Sequence, residues 1–174
     1  KIAQRTQSPL SLIEIGTSAG LLLNLDHYNF EVVEQEVIKR FGDPNSELVL
    51  RAENRGETLS HIAPFTVQHR IGIDLNILDL RNEDDFCWLN ALIWPEHFER
   101  KNRLKNAREI NNKISKELHE GDFLGYLPKK ISMIDKTSKI VVFHTHVANQ
   151  FSVELKSDLI KLLQDLSMER EIYH

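Results

Sequence analysis

The sequence predicts an α/β domain built on a mostly parallel sheet, and three observations carry that expectation. Short apolar runs recur at residues 11–16, 67–74 and 139–144. Segments with helical spacing lie between them, and strands that alternate with helices pair in parallel. Each run also stops at glycine or polar residues, which is where open α/β sheets carry their ligands.

Taken in order, residues 1–10 read as a polar lead-in, with Pro9 just before the first strand. Leu12, Ile13 and Ile15 give that strand its buried pattern. Gly16 and Gly20 permit a tight turn. Leu21, Leu22, Leu23 and Leu25 then supply the apolar content of a helix over 18–28. A second short helix is expected over 31–40, stopped by Gly42-Asp43-Pro44. Residues 47–53 alternate apolar and polar side chains, as a half-exposed strand does, and are assigned to an inserted antiparallel piece. In the strand at 67–74, Ile71 and Ile73 face one side. An acidic stretch from Asp79 to Asp85 leads into helices over 84–93 and 96–118, broken at Trp94-Pro95. Leu104, Ala107, Ile110, Ile114 and Leu118 form the stripe of the second. Residues 123–133 read as partly helical, interrupted by Pro128. Residues 139–144 are a buried strand, and 152–167 an amphipathic helix. Residues 171–174 resemble the start of another strand. With a beginning at Lys1, this predicts one domain over 1–174 that belongs to a longer protein with further sequence outside both ends, residues past His174 completing the sheet edge beside the strand that ends at His144.

Composition narrows the class. With 41% hydrophobic and 28% charged residues in 174, the chain has the make-up of an ordinary globular domain. A net charge of −4 without a basic stripe lends no support to nucleic-acid binding. No apolar run has the length of a membrane span. The single Cys87 excludes an internal disulfide and suits a reducing, cytoplasmic setting.

The polar strand ends supply the candidate site residues. A strand feeding a helix through Gly16 and Gly20 leaves backbone N–H groups at the helix start for the polar end of a nucleotide-like ligand. The same glycines also serve plain packing of helix on strand. Glu14 at this turn repels a pyrophosphate and attracts an ammonium, which favours S-adenosylmethionine over a dinucleotide. Asp74 is suited to accept from two ribose hydroxyls, or to cap a turn. Asp122 is suited to accept from an adenine amino group, or to be a turn residue after Gly121. His144 and His146, two apart at a strand end, suit acid–base work or a solvated structural role, and no third residue completes a metal site. Gly16-Thr17-Ser18-Ala19-Gly20 also matches the G-x-S-x-G elbow of serine hydrolases, although no upstream oxyanion loop is visible. Trp94-Pro95-Glu96-His97 reads either as a lid or as a helix corner with Trp94 in the core.

One ordered series carries a family resemblance. It runs from Leu12-Ile13-Glu14-Ile15-Gly16-Thr17-Ser18-Ala19-Gly20-Leu21 through Arg70-Ile71-Gly72-Ile73-Asp74-Leu75-Asn76-Ile77-Leu78-Asp79. Trp88-Leu89-Asn90-Ala91-Leu92-Ile93-Trp94-Pro95-Glu96, Gly121-Asp122 and Val141-Val142-Phe143-His144 follow. This series resembles the uncharacterised bacterial DUF2332 family over about residues 10–165. The resemblance implies a Rossmann-like, methyltransferase-type three-layer sandwich. It further implies S-adenosylmethionine as cofactor, held by Glu14, Gly16, Gly20, Asp74 and Asp122, with His144 on the side of a small-molecule methyl acceptor. Asp74 follows Gly20 at more than a single-helix distance, which implies an insertion at 31–66. A non-catalytic cofactor-binding domain and a Ser18 hydrolase are the alternative readings.

Overall fold

The computed structural model describes residues 2–58 and 64–174; residues 59–63 of the expected insertion lie outside them. In chain order the elements are α1 (Ile2–Thr6), β1 (Leu10–Ile15), β2 (Asn29–Glu34), β3 (Val37–Gly42), β4 (Val49–Glu53), β5 (Val67–Asp74), α2 (Glu83–Ala91) and α3 (Phe98–Asn111). Then come β6 (Glu117–Glu120), α4 (Phe123–Met133), β7 (Lys139–His144), α5 (Val153–Ser167) and β8 (Ile172–Tyr173).

Five strands form one parallel sheet in the order β6-β5-β1-β7-β8. Counted along the chain, the sheet's strands run 3-2-1-4-5, the order of a doubly wound sheet whose direction reverses beside its first strand. The reversal falls between β1 and β7, where Ile15 sits opposite His144. Apolar strands are central because both faces of a central parallel strand are covered. Every residue of β1 is buried. Ile13 and Ile15 pack with Phe123, Leu127 and Ile131 of α4 and Leu159 and Leu163 of α5. Leu10 and Leu12 turn to the other face and pack with Leu23. Each such aliphatic side chain contributes about 1.5–3 kcal/mol by leaving water. Ser11, fully buried among them, shares a 2.7 Å hydrogen bond with Ser138.

Several expectations change. No α-helix follows the glycine turn: Leu22–His27 is a 3-10 segment broken at Asn24, whose φ and ψ of −102° and 19° leave the helical region. Residues 31–40 are a β-hairpin, not a helix, with Phe30 and Phe41 stacked across the strands at 5.1 Å. The β-branched Val32, Val33, Val37 and Ile38 favour that outcome. β4 lies in this small second sheet, but parallel to β2. α3 ends at Asn111, and Leu118 belongs to β6, an edge strand. The lead-in contains α1, α4 runs on through Pro128, and Trp94 is exposed rather than in the core. Ser152 caps α5 by accepting from Leu155 N. Among the described residues no helix is long and apolar enough to cross a membrane.

Candidate strand-end cleft

Beyond the carboxyl ends of β1, β5 and β6 lies a cleft of about 530 Å³, within the size range of small-molecule sites. Gly16 from the end of β1, Asp74 from the end of β5 and Asp122 just after β6 all line it. The three are distant in sequence and meet because their strands are adjacent and parallel. Phe123, Val147, Phe151 and Leu155 form an apolar wall, with Phe123 and Phe151 stacked at 5.3 Å. Sequence reading overlooked that wall, although Phe123 directly follows Gly121-Asp122.

Both acids also do local work. Asp74 Oδ2 accepts from Ser18 N at 2.8 Å and its Oδ1 from Asn76 N at 3.1 Å. That use resolves the cap reading in its favour without exhausting the carboxylate, which has about four lone-pair sites. Asp122 is the N-cap of α4, its Oδ1 accepting from Leu124 N at 3.0 Å. Its side chain remains exposed.

The glycine turn is not the open cradle that the sequence suggests. Gly16 N donates to Ile73 O at 2.8 Å, and Gly20 N to Thr17 O at 2.8 Å. With Ser18 N already given to Asp74 and no α-helix beyond, the turn has no phosphate-binding helix start. Gly16, at φ +75°, lacks a side chain for a different reason: a Cβ there would lie 2.5 Å from Val147 Cβ. Gly20, at φ +70°, faces away from the cleft, packed against Lys116 Cδ and Leu118 Cδ2, each 3.0 Å from where a Cβ would sit.

Glu14 is not on the cleft wall. It is 2% exposed, on the face of β1 shared with Leu10 and Leu12, and its Oε2 accepts from Thr17 Oγ1 at 2.8 Å. Burial pushes its carboxyl up to about 7; the Thr17 hydroxyl pulls it down and the Asp74 carboxylate pushes it further up. A strongly shifted acid beneath a strand-end turn is a mark of functional regions. His144 sits at the end of β7 with its ring 5.3 Å from that of His174 and does not line the cleft. His174, partly buried beside it, is pushed below the usual histidine range by burial and by His144. Ser18 has φ +51°, and among the described residues no histidine bonds its hydroxyl. The strand–turn–helix context of a hydrolase elbow lacks its helix. Nor do the described residues hold a group of three or more histidines, cysteines or acids able to bind a metal ion.

A doubly wound parallel sheet with a cleft at its strand ends defines a Rossmann-like α/β protein. The chain belongs to the family described as uncharacterized protein conserved in bacteria (DUF2332), which it matches over residues 1–174. No curated protein and no solved structure matches it.

Proposed function

We propose that the strand-end cleft binds S-adenosylmethionine and that the protein is a methyltransferase or a cofactor-binding descendant of one. The observation that carries this reading is the meeting of Gly16, Asp74 and Asp122 at the ends of three adjacent parallel strands on one cleft. The donor set suits the group. Asp74 has acceptor capacity left for ribose hydroxyls, and the exposed Asp122 for an adenine amino group. Phe123 and Phe151 offer a flat apolar wall for a base. The absence of an anion cradle at the glycine turn, with the Asp74 carboxylate bonded to Ser18 N there, disfavours a pyrophosphate and favours a cationic ligand. When bound, S-adenosylmethionine supplies an electrophilic methyl group, and alignment of the acceptor with it is the main demand on the protein. Glu14 acts here through its buried position under the turn rather than by contact. His144, facing His174, is left outside the proposal as a proton acceptor.

Calorimetric titration with S-adenosylmethionine and S-adenosylhomocysteine tests the reading. Binding of either is expected, weakened at least tenfold in Asp74→Ala. Loss of a charge-assisted hydrogen bond costs about 1.5–3 kcal/mol. Binding without turnover on any acceptor would identify the cofactor-binding descendant. No heat of binding with either ligand would end the proposal.

A further inference from the structure

A second cavity, of about 380 Å³, lies between the link from β5 to α2 and the link from α3 to β6. It shares no lining residue with the strand-end cleft. Lys116 lines it together with Asp79, Arg81 and Asn111, and the half-buried Ile77, Ile114 and Leu118 give it apolar surface. The half-buried Lys116 donates from Nζ to Asn111 O at 2.9 Å and to Asn111 Oδ1 at 2.7 Å. Both acceptors are neutral, and the same Oδ1 also accepts from the buried Asn24 Nδ2 at 2.8 Å. No carboxylate among the described residues reaches ion-pairing distance of the Lys116 ammonium. The cavity's own acid, Asp79, is already engaged by Arg81 through Nε at 2.9 Å and Nη2 at 2.8 Å. Arg70, which also acts on Lys116, is matched by Asp26 at 2.6 Å. One positive charge is therefore left over in a partly desolvated cavity, and an ammonium out of water without a counter-charge is unfavourable.

We propose that this cavity binds a small molecule with an oxyanion head, a carboxylate or a phosphate monoester, which pairs with the Lys116 ammonium beside Arg81. The head supplies the charge that Asn111 does not, and the half-buried side chains of Ile77, Ile114 and Leu118 receive the body of the ligand. The Lys116 stem lies close against the turn at Gly20, its Cδ 3.0 Å from where a Cβ there would sit. The inference is independent of the strand-end cleft. A pH dependence follows from the same surroundings. Burial, with Arg70 and Arg81, pushes Lys116 down to about 8, against the pull of Asp79. Affinity should therefore fall as the pH rises beyond that value.

Thermal unfolding of the full chain in sodium phosphate and in sodium succinate, at an ionic strength fixed with sodium chloride, tests the proposal. At least one anion should raise Tm over chloride alone. Lys116→Met, which keeps the stem and removes the charge, should abolish the rise, while Lys116→Arg should keep part of it. A response to phosphate alone assigns a phosphate head, and a response to succinate alone a carboxylate. Should Lys116→Met not fold, Arg81→Gln at its exposed position should still show a smaller rise than wild type. No rise with either anion, or a full rise in Lys116→Met or Arg81→Gln, overturns the proposal. Calorimetry with S-adenosylhomocysteine in the same variants should be unaffected, so the two sites fail separately.

Discussion

Glu14 shows how a single residue's role depends on which face of a strand it occupies. Its place at the end of β1 is plain in the sequence, but a carboxylate on a buried face is not, because an alternating strand does not announce that its polar member also lies under cover. The structure seals it beneath Thr17, and the energetic consequence is measurable. The folded carboxyl titrates near 7 against an ordinary 4.5. The folded state thus favours the protonated form. The associated stability is fully present below pH 4.5, declines between 4.5 and 7, and is gone above. Glu14→Gln, neutral at every pH, should match wild type near pH 4 and exceed it at pH 8.5 by about 3 kcal/mol. Urea unfolding at the two pH values checks this; equal stability at both would show that Glu14 is not buried as described. Its neighbour Gly72 pairs with Glu14 across β1 and β5. A Cβ at Gly72 would lie 2.5 Å from Thr17 Cγ2 and 2.7 Å from Leu118 Cδ2. Gly72→Ala should therefore cost about 1–3 kcal/mol by overpacking, read as a lower midpoint in the same urea titration. An unchanged midpoint would mean that the Thr17 turn yields freely.

At the scale of elements, legibility followed the strength of local signals. β1, β5, β7 and α5 were readable because their apolar residues recur with one clear period. The β2–β3 hairpin was not, because its turn residues Gln35 and Glu36 are ordinary helix formers, yet hold φ values of 48° and 67°. Paired positive φ at a two-residue turn favours Asn-Gly, and a left-handed conformation costs other residues about 1–2 kcal/mol each. Replacing Gln35-Glu36 by Asn-Gly should thus raise the thermal midpoint, and a fall would contradict the turn geometry. β6 escaped notice because Leu118 is its one apolar residue; charged neighbours such as Glu117, bonded to Lys130 at 2.8 Å, suit an edge strand. For α4, Asp122→Ala should lose about 1 kcal/mol through its missing cap, while Asp122→Asn should keep the cap. Thermal unfolding of the two variants separates these outcomes, so any effect of Asp122→Asn on ligand binding reports on the cleft and not on the helix. Equal destabilisation by both would remove that distinction.

At the scale of the molecule, the parallel sheet organises everything else. Its centre was legible, since three apolar strands each ending in polar residues can share one sheet with all their ends on the same side. That reasoning brought Gly16 and Asp74 to one place, while Asp122 came from the turn after Gly121 and from the family resemblance, and His144, at the third strand end, falls outside the cleft. It could not separate the faces of the sheet, and so grouped Glu14 and Gly20 with a cleft that neither lines. Nor could it find Lys116, which a helical reading of 96–118 hid among many solvated charges. The proposal that rests most heavily on the sheet is that the cleft at the ends of β1, β5 and β6 holds an adenosyl cofactor. A crystal structure of the protein grown with saturating S-adenosylhomocysteine tests it most directly. Ribose hydroxyls are expected within hydrogen-bond distance of Asp74, and an adenine between Asp122 and the Phe123–Phe151 wall. The ligand bound elsewhere, or a cleft left empty at saturation, would contradict it.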